Sequence, residues 1–376
     1  MTKTLPQDER IARLRLIRTD TIGPITFHKL LRQFGNAQAV LEALPLMAAK
    51  AGRQKSLRVM TVQQAENELK ALHDFGGEMI VWGDDRYPEW LSHIEDAPPV
   101  LNYIGNIALA HQSCFAIVGA RNASANARRF TQKIAVALGA QNQVIVSGLA
   151  RGIDTAAHEA SLDSGTIAVL AGGLDQVYPL ENTGLYNLIK DKGCILSEMP
   201  LGTKPTAHHF PRRNRIVSGL SKGVLVAEAT LKSGSLITAR LAAEQGREVF
   251  AVPGFPGDPR GAGPNNLIQN GAKLVTSADD ILSELISVSQ PQSTGDQLSF
   301  DGVAEPEAFF EGNDGEEITQ NIHDQVIDTL SHTPFDIDEI VRSSGLSVQN
   351  IQMTLLELEV TGQVQRHPGN RVSRVA

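Results

Sequence analysis

Between residues 113 and 252 the chain alternates two kinds of segment. Short, continuous apolar runs (CFAIVG, QVIVS, TIAVLA, CILSE, GVLVAEA, EVFAVP) are rich in β-branched residues. Stretches of helical length separate most of them: NARRFTQKIAVALGAQ, TAAHEASLDSG, TGLYNLIKDKG and SLITARLAAEQG. Strands that are apolar on both faces must be covered on both faces. The pattern therefore predicts an α/β core with a mainly parallel sheet and helices above and below.

The flanking segments read differently. Residues 1–75 form helix-like runs, with an Ile22-Gly23-Pro24 turn ahead of an amphipathic stretch, as in a SAM or helix-hairpin-helix module. Such a turn can hold a phosphate on its amides, or the module can serve packing alone. The core is expected over 76–285, opened by two short strands in EMIVWG and VLNYIGN. Residues 286–318 lack periodicity and read as a disordered acidic linker. Residues 319–376 carry three helix-like runs, then two short strands about His367-Pro368-Gly369-Asn370, the order of a winged helix.

Charge is unevenly placed along the chain. The formal net charge is -8, yet residues 115–280 hold 17 basic and 13 acidic residues. Residues 281–320 hold 9 acidic and no basic ones, and 321–376 hold 4 basic and 7 acidic. A mildly basic core permits phosphate binding. The acidic C-terminal module argues against strong duplex binding and fits protein interaction at least as well. No run approaches the roughly 18 apolar residues of a membrane span. The charged start MTKTLPQDER is unlike a signal peptide, so a cytoplasmic protein is expected. Cys114 and Cys194 open apolar runs and read as buried strand residues; no metal, disulfide or cofactor is expected.

In an open parallel sheet, ligands bind beyond the C-terminal strand ends. There Gly119 and Arg121 precede a helix, offering close backbone approach, free amides and a cation to an anion. Ser147, Gly148, Arg151 and Gly152 form a second glycine–arginine mouth, with Asp154 as the expected N-cap of the next helix. Gly172 and Gly173 follow the third run, and Asp175 reads as a turn carboxylate. Arg212, Arg213, Asn214 and Arg215 gather three guanidiniums and an amide, with Phe210 offering a ring to a base. The alternative for these arginines is an ion-pair network with Glu198 or Glu228. Lys232, Ser233, Gly234 and Ser235 open another helix, and Asn265 or Asn266 is expected to cap the one after. Neither GxGxxG nor GxxxxGK[ST] occurs, so neither NAD binding nor ATPase activity is expected.

On these motifs the chain resembles the DNA-processing protein A (DprA/Smf) family. The resemblance is dense from Phe115 to Val275, through VGARNAS, SGLARGIDTAAHEASL, AGGLDQVYPLEN, FPRRNRIVSGLS and VLVAEATLKSGSLITARLAAEQGREVFAVPG. It implies an extended Rossmann-like core, a homodimer, binding of single-stranded DNA, and loading of the RecA recombinase during natural transformation. It places Gly119 and Arg121 in the family's DNA-contacting segment, with the SGLARG loop and the FPRRNR arginines lining a positive pocket. Ala120 stands where a hydroxyl residue is usual, and Leu180-Glu181 stand where a basic residue often follows Tyr-Pro.

Three readings follow. The first is a non-catalytic single-stranded DNA mediator, in which replacing Arg121 or Arg213 with Ala weakens binding to all sequences. The second is a nucleotide-processing enzyme like the lysine-decarboxylase-like phosphoribohydrolases. It has Glu228 as the obvious acid, but the PGGxGTxxE pattern is missing. The third, compatible with the first, is a scaffold that recruits partners through the linker and winged helix.

Overall fold

The computed structural model describes residues 5–50, 58–289, 326, 330, 335–344, 346–360, 362–367 and 370–375. The expected acidic linker, 286–318, lies outside them from residue 290, and its start is corrected because 286–289 continue the helix Ala278–Ser289. The turn residues Pro368 and Gly369 also lie outside them. So does the first helix-like run of the C-terminal segment, apart from Val326 and Leu330. The chain divides into two compact units, one of residues 1–14 and 61–290, the other of 15–60 and 291–376.

The first unit is built on a nine-stranded sheet. In chain order its strands are β1 (Glu78–Val81), β2 (Val100–Gly105), β3 (Cys114–Val118), β4 (Val144–Ser147), β5 (Thr166–Val169), β6 (Cys194–Ser197), β7 (Gly223–Val226), β8 (Glu248–Ala251) and β9 (Lys273–Leu274). The helices up to residue 289 are α1 (Gln7–Ile17), α2 (Pro24–Phe34), α3 (Ala37–Lys50), α4 (Val62–Asp74), α5 (Glu89–Ser92), α6 (Ala125–Ala140), α7 (Ile153–Ser161), α8 (Thr183–Lys192), α9 (His209–Gly219), α10 (Gly234–Glu244), α11 (Ala262–Gln269) and α12 (Ala278–Ser289).

The strands lie in the order β1-β2-β6-β5-β4-β3-β7-β8-β9. Neighbours from β6 to β9 are parallel, whereas the β1–β2 and β2–β6 pairs are antiparallel. The mainly parallel sheet read from the sequence is therefore present, with an antiparallel hairpin on one edge. Successive strands β3 to β6 step one way, then the chain crosses back to lay β7 on the other side of β3. That reversal opens a crevice between the C-terminal ends of β3 and β7, where open α/β sheets bind ligands.

The core explains the continuous apolar runs. Ala116, Val118, Val144, Val146, Val224 and Val226 face one side of the sheet and pack with Ile216 and Val217 of α9 and with Leu220 just after it. Phe115, Ile117, Ile145 and Leu225 face the other, against Ile134 and Leu138 of α6 and Ala157 of α7. Both faces are covered, so alternate residues of each strand enter different cores. Cys114 and Cys194 are free and fully buried in β3 and β6, and burial pushes the Cys114 thiol up to about 12.

Helix ends follow local chemistry in part. Thr61 and Gln64 form a reciprocal capping box on α4, and Ser124 caps α6 by accepting from Ala127 N at 3.0 Å. Two expected caps are corrected. Gly152, not Asp154, is the N-cap of α7, because Asp154 turns back to accept from Gly148 N and Ala150 N. Asn265 sits inside α11 and bonds both backbone groups of Gly254 instead, and Asn266 likewise lies within the helix.

In the second unit, Pro24 begins α2 after Gly23, and Gly35 ends it at φ +83°. Helices Ile337–Ser344 and Val348–Val360 are followed by β11 (Val364–His367) and β12 (Arg371–Arg374), and β10 (Phe335–Asp336) pairs with β12. Ile337, Ile340, Ile351, Leu355, Val364 and Val372 are its core. The winged-helix order holds, with a short third strand that the sequence reading did not include.

Candidate nucleic-acid interface

The crevice at the strand reversal is a cavity of about 440 Å³. Gly119, Arg121 and Asn122 line it from the loop after β3, and Thr230, Ser233 and Arg260 from the loops after β7 and β8. The N-terminus of α10 lies in its wall through Ser233, Gly234 and Ser235, so one positive dipole end faces it, whereas the start of α6 is already covered by the Glu228 carboxylate. Ser233 caps α10, and its hydroxyl lies 2.7 Å from that of Ser235.

Arg121 is exposed and makes no ion pair with any described residue. Its guanidinium lies 5.1 Å from the centre of the Phe210 ring, which orients it by cation–π attraction. The Tyr178 ring packs against Phe210 from elsewhere, centroids 5.8 Å apart. Lys232 is likewise exposed without an ion pair to a described residue. The loop after β3 is fixed by Glu228 at the end of β7. Its carboxylate accepts from Ser124 N at 2.9 Å and from the Ser124 hydroxyl at 2.7 Å.

Two glycines hold the neighbouring mouth in place. Gly152 has φ +77°, and a side chain there would run into the carbonyls of Ala120 and Arg121. A side chain at Gly148 would occupy the place of the Arg213 guanidinium. Arg213 is only 7% exposed; it donates to the carbonyls of Gly148 and Val169, the latter at 2.6 Å. Burial lowers its pKa to about 10 although Asp154 lies near, and burial raises that of Asp154 despite Arg213. His158, fully buried behind them, is pushed down to about 3 by burial and secondarily by Arg213.

The densest arginine cluster in the sequence is thus mostly not at the surface. Residues 209–219 form a helix rather than a loop, and successive side chains on a helix diverge by roughly 100°. Arg213 turns inward under the β4 and β5 loops. Arg215, 4% exposed, pairs with Glu198 and with Asp96 at 3.4 Å. Arg212 stays half-exposed, 3.4 Å from Glu198. Asn214 joins α9 to α10 by donating to Gly234 O at 3.3 Å. Ser147 is fully buried and donates to Ile117 O at 2.6 Å, tying β4 to β3. The expected phosphate contacts of Ser147 and Arg215 are corrected accordingly: both are buried, bonded within the protein and absent from the crevice wall. Arg213 is braced by its two carbonyl bonds and also lines the crevice. The ion-pair alternative holds for Arg215 with Glu198, while Glu228 serves Ser124 instead. Arg151 remains exposed but is paired with Glu181, Nη2 to Oε2 3.0 Å. Asp175 is a turn carboxylate, accepting from Gly202 N at 2.8 Å.

Sequence reasoning missed Asn122, Thr230, Arg260 and the positioning role of Glu228. Asn182 was missed too; it bridges Leu149 O at 2.9 Å and the Thr155 hydroxyl at 3.0 Å. Only tertiary proximity reveals these: Asn122, Thr230 and Arg260 meet at the crevice from three separate loops, and Glu228 and Asn182 bond residues distant in the chain.

Fold and site together define an open, doubly wound α/β protein with an arginine-bearing crevice at its strand reversal, carrying helical and winged-helix modules. The family model for DNA recombination-mediator protein A matches residues 78–286, that for the DprA-like N-terminal HHH domain 7–71, and that for the DprA winged helix domain 313–370. The chain belongs to the DNA recombination-mediator protein A family. It is 33% identical to protein Smf of Synechocystis over 382 residues, covering 94% of this chain and 96% of that one. The X-ray structure of DNA processing protein A from Streptococcus pneumoniae superposes with a TM-score of 0.62 at 37% identity, covering 75% of this chain and 98% of that one. The structure of DNA processing protein A from Helicobacter pylori, which concerns a single-stranded DNA binding mode, gives 0.52 at 30% identity over 56% of this chain and 96% of that one. Among the described residues no helix is long and apolar enough to cross a membrane.

Proposed function

We propose that the protein is a non-catalytic, cytoplasmic single-stranded DNA-binding protein. Acting as a homodimer, it protects incoming DNA and loads the RecA recombinase onto it during natural transformation or homologous recombination. The observation that carries the DNA reading is Arg121, exposed and without an ion pair to a described residue, at a crevice whose wall includes the N-terminus of α10. Gly119, Gly148 and Gly234 present crevice-wall backbone to the strand, and Gly152 lets the loop beside it pack against Ala120 and Arg121. Arg121, Arg151, Arg212 and Lys232 supply charge, while Asn214, Ser233 and Ser235 supply hydrogen bonds. Ser147, Arg213 and Arg215 hold the frame. The assignment of recombinase loading, dimer and compartment is supported by membership of a recombination-mediator family.

The enzyme reading is weaker because Glu228, its candidate acid, is already bonded twice to Ser124. Fluorescence anisotropy with a labelled single strand and the matching duplex, over a range of salt, tests the proposal. Preference for the single strand is expected, with log K falling by about 0.7 per phosphate contacted. Absence of binding at low salt would sink it.

A further inference from the structure

Among the described residues two Phe, Tyr or Trp side chains are exposed, on loops that leave strands to either side of the β3–β7 reversal. Tyr178, in the loop after β5, is 49% exposed; Phe255, in the loop after β8, is 79% exposed. A lone apolar side chain on a surface needs no explanation. Phe255 differs because its loop is held tightly around it. Asn265 bonds both Gly254 N (3.0 Å) and Gly254 O (2.9 Å), and Asp258 takes the Arg260 guanidinium on two oxygens at 3.1 and 2.9 Å. Asp258 N also donates back to Phe255 O at 2.9 Å. The loop is zipped to the one after β7, where Ala229 N donates to Arg260 O and Gly263 N to Ala229 O, each at 2.8 Å. On that second loop stand the exposed Leu231 and Lys232. A phenyl ring fixed in water by such a frame is pre-organised to meet a flat apolar surface.

The flat surface that suits this edge is a nucleobase. Cations without ion pairs, Arg121 and Lys232, lie between the two rings, and bases stack on aromatic rings without regard to sequence. In the order β5-β4-β3-β7-β8 the two loops' strands are four spacings apart, roughly 19 Å. At a rise of 3.4 Å that distance takes about six nucleotides. We propose that Tyr178 and Phe255 are stacking platforms at the two ends of one DNA track, which crosses the crevice and runs along the C-terminal edge of the sheet from the β5 loop to the β8 loop. This rests on the single-stranded DNA reading above.

The test uses the full chain and labelled single strands of about 4 and about 12 nucleotides. Phe255→Leu and Tyr178→Leu keep an apolar side chain but remove the ring; Phe255→Trp keeps a ring. Each leucine variant is expected to weaken binding of the longer strand between about 5- and 150-fold, with the salt slope unchanged because stacking releases no counterions. Phe255→Trp should bind like the wild type. On the short strand, which cannot reach both rings, the double leucine variant should cost no more than the worse single one. Unchanged affinity in Phe255→Leu, while Arg121→Ala loses affinity, would overturn the track and leave the crevice reading standing. Failure of the unaltered protein to bind any single strand removes both. A leucine variant that changes the oligomeric state at constant DNA affinity would overturn the track by assigning the ring to contact between copies.

Discussion

Two groups of arginines sit within one crevice's reach, and they do opposite things. In the loop after β3, Arg121 stands alone in the sequence, is exposed, and has no ion pair with a described residue. In α9, Arg212, Arg213 and Arg215 crowd together in sequence, yet two of them are buried and engaged. Clustering along a chain concentrates charge in space only when the backbone is extended or looped. On a helix the same spacing fans the side chains apart, and burial then demands partners for each. The isolated arginine is therefore the one left open to the crevice, which the proposed function makes the ligand-facing one, and the cluster mainly braces strand ends.

The comparison can be broken or sharpened by substitution. The largest effect is expected for Arg215→Ala, which leaves Glu198 buried beside an empty place. Loss of about 3–5 kcal/mol in urea unfolding is expected, with the DNA affinity of the folded fraction unchanged. A wild-type melt with reduced affinity would put Arg215 on the ligand side after all. Arg121→Ala should do the reverse. Stability should stay within about 0.5 kcal/mol of wild type, while binding falls by about 1.5–3 kcal/mol and the salt slope drops by about 0.7.

The braced region should also carry an acid sensitivity that the loop region lacks. His158 is held neutral in the fold down to about 3, below the ordinary imidazole value near 6.5. The unfolded chain takes up a proton that the folded one refuses. The contribution of this group is thus complete above about pH 6.5 and is lost toward pH 3 at about 1.4 kcal/mol per pH unit. Urea midpoints across that range should fall more steeply for wild type than for His158→Gln; parallel profiles would contradict it. The smallest effect is expected for Glu181→Gln. It frees Arg151 from an exposed pair and should tighten single-strand binding by at most about 1 kcal/mol without moving the melt.

The sheet was legible because continuous β-branched runs in β3 to β8 leave no other way to bury both faces. The close-packed loops at the C-terminal strand ends were legible too, since Gly119, Gly148 and Gly152 mark backbone that must come close to something. What each glycine approaches was not legible. Gly148 makes room for Arg213, and Gly152 for the carbonyl of Ala120. Local pattern also misassigned Asp154 and Asn265, whose carboxylate and amide serve loops rather than the helix ends beside them. The exposed Phe255 ring carried no pattern at all; its meaning comes only from the bonds that hold its loop.

The contact between Gly152 and the Ala120 carbonyl, with Glu228 holding Ser124 from β7, makes the mouths of three strands move as a single body. On the proposed function, a strand arriving there would meet loops already bonded to one another. Association is then expected to be encounter-limited, slowed by added salt that screens the guiding field, with no slow opening step before capture.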